Sequence, residues 1–119
     1  MQKLLIIDDD AGFATFVEIV AEELGYDVRT AGDGFAAEEV RRLFSPDVIL
    51  VDILLPGRDG IEVVRQLAED GETARIVLVS GSIPLYMNAA LEIARAAGVR
   101  DVVAARKPLA IADLRALLA

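Results

Sequence analysis

Short, uninterrupted runs of Val, Ile and Leu constrain this chain more than any other feature. Leu4-Leu5-Ile6-Ile7, Val48-Ile49-Leu50-Val51 and Ile76-Val77-Leu78-Val79 have no polar face, so each needs a strand covered on both sides, the condition of a parallel sheet held between layers of helix. Strands are predicted at Lys3 to Ile7, Asp27 to Thr30, Asp47 to Val51, Arg75 to Val79 and roughly Asp101 to Ala105, with a helical pattern in each gap. Phe13, Phe16, Val17, Val20 and Leu24 recur at helical spacing and Gly25 offers a stop. Gly34 to Phe44 forms the second helix, closed by Pro46, and Asp59-Gly60-Ile61-Glu62 reads as a cap opening a third that runs through Ala68. Leu85 to Ala97, ended by Gly98, and Ala110 to Leu118 complete the set. On the first helix Val17, Val20 and Leu24 are the expected inward stripe, while Phe13, Phe16 and Ile19 add an apolar row that turns away from the core. Five βα units with right-handed crossovers make a doubly wound α/β fold, one domain over residues 1–119.

In such a sheet, ligands bind at the carboxyl ends of the strands. Those ends carry Asp8, Asp9 and Asp10 after the first strand, Asp52 after the third, Ser80 after the fourth and Lys107 just beyond the fifth. Adjacent carboxylates repel and raise one another's pKa unless solvent or a cation relieves them. The chain contains no Cys and no His, which rules out thiol catalysis and leaves oxygen ligands, suited to magnesium, calcium or manganese. Carboxylates can hold such an ion, Lys107 can pair with a phosphoryl oxygen, Ser80 can donate a hydrogen bond, and an aspartate attacking phosphorus gives an acyl phosphate. Asp10 is expected to cap the first helix. A net charge of −8 argues against a nucleic-acid surface and for protein partners. The apolar segment at the amino terminus is too short for a signal peptide or membrane span, so the cytoplasm is the expected location.

At these residues the chain resembles the receiver domain of bacterial two-component response regulators. The motifs that carry the resemblance are Leu5-Ile6-Ile7-Asp8-Asp9-Asp10, the segment Val51 to Gly60, Val77-Leu78-Val79-Ser80-Gly81 and Lys107-Pro108, and it extends over the whole chain. It implies a flavodoxin-like sheet of strand order 2-1-3-4-5 with five helices. Asp52 would be the phosphoacceptor, served by a histidine kinase or a histidine phosphotransfer protein. Asp8 and Asp9 would be the Mg2+ pair, Asp9 the more direct ligand, with Asp52 and the Leu54 carbonyl completing the protein's share. Ser80 and Lys107 would contact the phosphoryl group, and Lys107-Pro108 is the place for a cis peptide. The first helix would pack against the partner's phosphohistidine-bearing bundle, with Phe13 and Ile19 as anchors. Such a domain is no enzyme in the usual sense, since it catalyses only its own phosphorylation and dephosphorylation.

The departures concern output. Receivers commonly carry Tyr or Phe on the fifth strand, where this chain has Ala104 or Val102 depending on the direction of counting. The response to phosphorylation is therefore expected in the loop Gly81 to Tyr86 and the start of the fourth helix. Alternatives are a receiver-like module that binds partners without being phosphorylated, and a small phosphatase with an aspartate nucleophile. The common phosphatases of that kind place a second acid two residues after the nucleophile, and here that residue is Leu54. A stand-alone regulator acting on a downstream protein and a receiver excised from a longer chain with an output domain both fit the 119 residues.

Overall fold

The computed structural model describes residues 1–55, 60–81 and 84–119, without the side chains of 84–86. Strands and helices alternate: β1 (Lys3–Ile7), α1 (Ala11–Glu23), β2 (Asp27–Ala31), α2 (Gly34–Phe44), β3 (Val48–Asp52), α3 (Gly60–Glu69), β4 (Arg75–Ser80), α4 (Pro84–Ala96), β5 (Val102–Arg106) and α5 (Ile111–Leu118). All strand pairs are parallel, in the order β2-β1-β3-β4-β5.

The apolar runs are buried because every second side chain meets a different helical layer. Leu5, Ile7, Ile49, Val51, Ile76 and Leu78 face Ala37 of α2, Val63, Val64 and Leu67 of α3, and Met87, Ala90 and Ala94 of α4. Leu4, Ile6, Leu50, Val77 and Val79 face the other way, onto Ala14, Val17, Val20 and Ala21 of α1 and Leu114 and Leu118 of α5. Among the described residues no helix is long and apolar enough to cross a membrane.

One expectation for α1 fails. Leu24 does not belong to the inward stripe; it is the residue closing the helix and is 43% exposed, while Ala14 and Ala21 fill the places beside Val17 and Val20. The helix ends at Glu23 with Leu24 as its cap, and Gly25 at φ 93° then redirects the chain. The expected caps hold where they can be seen: Asp10 accepts the Phe13 N–H at 3.1 Å. Asp59 and the stretch 82–83 lie outside the described residues.

Candidate functional site

Register brings the polar strand ends together. Ile7 pairs with Val51, Asp52 with Val79 and Ser80 with Arg106, so Asp8, Asp52, Ser80 and Lys107 emerge along one edge of the sheet. The Lys107 N–H donates to the Ser80 carbonyl at 3.0 Å, extending the β4–β5 ladder by one residue, and the Lys107-Pro108 peptide that follows is cis.

The ammonium of Lys107 lies 2.9 Å from Asp8 Oδ2 and 3.1 Å from Asp52 Oδ2. Asp52 is 6% exposed and Asp8 4%, a depth at which an unpaired carboxylate is unfavourable. Asp52 Oδ1 accepts the Leu54 N–H at 3.0 Å, and Asp8 Oδ1 accepts the Asp10 N–H at 2.9 Å. Burial is the largest influence on the Asp52 carboxyl and pushes its pKa up; the Asp8 charge pushes the same way, against the Leu54 N–H and Lys107. Burial works to lower the Lys107 pKa, but the Asp8 and Asp52 carboxylates held against the ammonium outweigh it and leave it raised.

One oxygen from each of Asp8, Asp9 and Asp52 lies within 4.8 Å of the others. Two of these residues are buried and Asp9 is exposed, so the cluster opens to solvent on the Asp9 side. Among the described residues, Asp8 Oδ2 is buried with no hydrogen-bond donor aligned on it, its charge met by Lys107 alone. A carboxylate oxygen left in that state, in an all-oxygen cluster, fits a hard divalent cation. Leu54 approaches through its main chain, its side chain half-exposed. Ser80 is buried at the same edge.

A family model for the response regulator receiver domain matches residues 4–119. The chain belongs to that family. The receiver is 38% identical over 79 residues to the DNA-binding response regulator MtrA of Mycobacterium tuberculosis, covering 66% of this chain and 35% of that protein. It is 41% identical over 76 residues to the DNA-binding dual master transcriptional regulator RpaA of Synechocystis, covering 64% and 32%. The receiver thus spans about a third of the length of the curated relatives it matches. Among solved structures, a CheY-like receiver domain protein from Methanospirillum hungatei superposes with a TM-score of 0.85 at 22% identity, covering 99% of this chain and 90% of that one. A Francisella response regulator receiver domain gives 0.82 at 27% identity, covering 99% and 93%.

Two residues at the receiver's site carry no chemical signal in the sequence. Gly60, which the sequence offers only as part of a helix cap, brings the start of α3 against the end of β3. Its N–H donates to the Ile53 carbonyl at 2.7 Å, and a Cβ there would collide with the Asp52 carbonyl oxygen and come 2.5 Å from Ile53 Cα. Phe13, expected on an outward row of α1, is half-buried, and its ring centroid lies 4.3 Å from Lys107 Nζ. Of that row Ile19 is the exposed member, at 55%.

Proposed function

We propose that this receiver accepts a phosphoryl group on Asp52 in a Mg2+-dependent reaction and thereby switches a partner or output domain in a phosphorelay. The observation that carries the reading is the convergence of Asp8, Asp9 and Asp52 oxygens within 4.8 Å, two of them from residues paired with the same lysine. Asp8, Asp9 and Asp52, with the Leu54 carbonyl, would hold the ion. When bound, Mg2+ neutralises the charge of phosphoryl oxygens. An Asp52 carboxylate oxygen forms the new P–O bond as the donor's P–N bond breaks, the electron pair staying on the imidazole. The Leu54 N–H fixes the carboxylate plane, Lys107 meets a second phosphoryl oxygen, and the Ser80 hydroxyl donates to a third. Beyond this self-modification and its reversal the domain would catalyse nothing.

The donor would be a histidine kinase or phosphotransfer protein docking on α1, with exposed Ile19 as an anchor, in the cytoplasm. Intact mass after incubation with a small phosphodonor tests the chemistry. One phosphoryl increment is expected with Mg2+, none with a chelator and none for Asp52→Asn. An Asp52→Asn chain that labels as fast as wild type would falsify the assignment, and a wild-type chain that never labels would favour an unphosphorylated interaction module.

A further inference from the structure

The side chains assigned so far to phosphoryl transfer are polar, yet the Lys107 ammonium also meets a phenyl ring. An ammonium has three N–H donors. Here two carboxylate oxygens lie within 2.9 and 3.1 Å of Nζ, and the Phe13 ring lies on a further side at 4.3 Å to its centroid. The face of an aromatic ring carries negative charge density and attracts a cation, more strongly where water is excluded. Only 19% of the Lys107 side chain remains exposed.

The ring is placed without help from the lysine. The Phe13 N–H is held by Asp10 Oδ1 at 3.1 Å, and its ring packs on Phe16 at 6.3 Å between centroids, tilted by 49°. Lys107 arrives from the far end of the chain, beyond β5, on a flexible four-carbon stem with a strongly hydrated head. Asp8 and Asp52 both attract that head, and nothing in their charge alone keeps it from water. A ring fixed to α1 supplies the missing restraint. An aliphatic residue at the same position would fill the volume beside the core but give the cation no attraction.

We propose that Phe13 is a positioning residue for phosphoryl transfer, its ring holding the Lys107 ammonium over Asp52 and shielding it from water. This rests on the phosphoacceptor reading of Asp52. It also gives the third aspartate of the run a place in the site: Asp10 caps α1, the cap fixes Phe13, and Phe13 fixes Lys107.

The chain has two lysines, Lys3 and Lys107, so side-chain Hε–Nζ correlations of the labelled full chain are simple to assign. Phe13→Leu keeps apolar bulk and removes the ring, whereas Phe13→Tyr keeps the ring. Ring-current shielding of Lys107 is expected in wild type and Phe13→Tyr and should be lost in Phe13→Leu, with Lys3 unmoved. Labelling by a small phosphodonor with Mg2+ should slow about fivefold in Phe13→Leu and stay within about twofold of wild type in Phe13→Tyr, the size of a partly desolvated cation–π contact. A Lys107 signal that does not move in Phe13→Leu, or equal labelling rates in wild type and Phe13→Leu, overturns the proposal. So does equal slowing in both variants with lower melting temperatures, which would make the ring ordinary core. A wild-type chain that takes no label overturns the phosphoacceptor reading itself, and the lysine resonance then still decides whether the ring holds the ammonium.

Discussion

Asp52→Asn removes one unit of charge from the site and little of its shape. Without metal, the oxygens of Asp8, Asp9 and Asp52 lie within 4.8 Å of one another. At an effective dielectric constant of about 20, each like-charge pair at that separation costs about 3.5 kcal/mol, and the Lys107 pair at 3.1 Å returns about 5. The two repulsions at Asp52 therefore exceed its one attraction by about 2 kcal/mol. Burial of the carboxylate adds to the deficit, and solvent around exposed Asp9 reduces it. The variant should be more stable than wild type in chelator by about 1–2 kcal/mol, its amide oxygen still able to accept the Leu54 N–H. In Mg2+ at about a hundred times the dissociation constant, wild type gains about 2.7 kcal/mol, and Asp52→Asn, lacking one ligand charge, gains much less. The order of stabilities should then reverse. Urea unfolding at neutral pH, with and without Mg2+, measures both differences, and equal m-values would show that the same surface is exposed. An Asp52→Asn chain no more stable than wild type in chelator, at unchanged m, would refute the claim that the three carboxylates repel across a shared site.

Gly60→Ala sets a Cβ against main-chain atoms of Asp52 and Ile53, which cannot rotate aside, so α3 must shift; urea unfolding should show a loss of about 2–4 kcal/mol, against less than about 0.5 for Gly32→Ala, where a Cβ meets open space. The pH dependence follows from Asp52, whose pKa is raised from 3.8 in the fold. The folded chain binds that proton more tightly than the unfolded one, so this contribution is present below pH 3.8 and lost as pH rises through the folded value. The advantage of Asp52→Asn over metal-free wild type should accordingly be flat at higher pH and shrink as pH is lowered through that folded value toward 3.8; a gap constant across the series would contradict the sign. At the alkaline end, the stabilisation from Lys107 should persist to its ordinary 10.5 and fade only as pH climbs through the higher folded value, a decline that Lys107→Met should lack.

The sheet was legible because Leu4–Ile7, Val48–Val51 and Ile76–Val79 allow no amphipathic alternative, and two covered faces are the only arrangement that buries such runs. The acidic edge was legible for a related reason: once the strands are parallel, their carboxyl ends share an edge, whatever the register. The end of α1 was harder. Leu24 matches the helical spacing of Val17 and Val20, but spacing carries no information about where the helix stops relative to the core, and the small residues Ala14 and Ala21 that line the inner face give a weak hydropathic signal. Gly60 was unreadable as a packing residue, since its importance lies in an absent side chain facing another element's main chain. The Phe13 ring and Lys107 are separated by most of the chain, and periodicity, which reports faces of single elements, cannot pair them. The three-acid grip on Arg41, with Glu38, Asp70 and Glu72 around one guanidinium, was invisible for the same reason.

The way Lys107 is anchored determines which of its neighbours can change alone. Its main chain hangs from the Ser80 carbonyl, an atom every amino acid possesses, so this one anchor does not depend on which side chain stands at position 80. Asp8 has no such latitude. One of its oxygens holds the Asp10 N–H at the entrance to α1 and the other faces the Lys107 ammonium, so a single substitution there disturbs a helix start, a cation and the acidic cluster together. In genetic terms Asp8 is a pleiotropic position: a lineage that loses its carboxylate loses a helix-start contact, a partner of Lys107 and a member of the acidic cluster in one step.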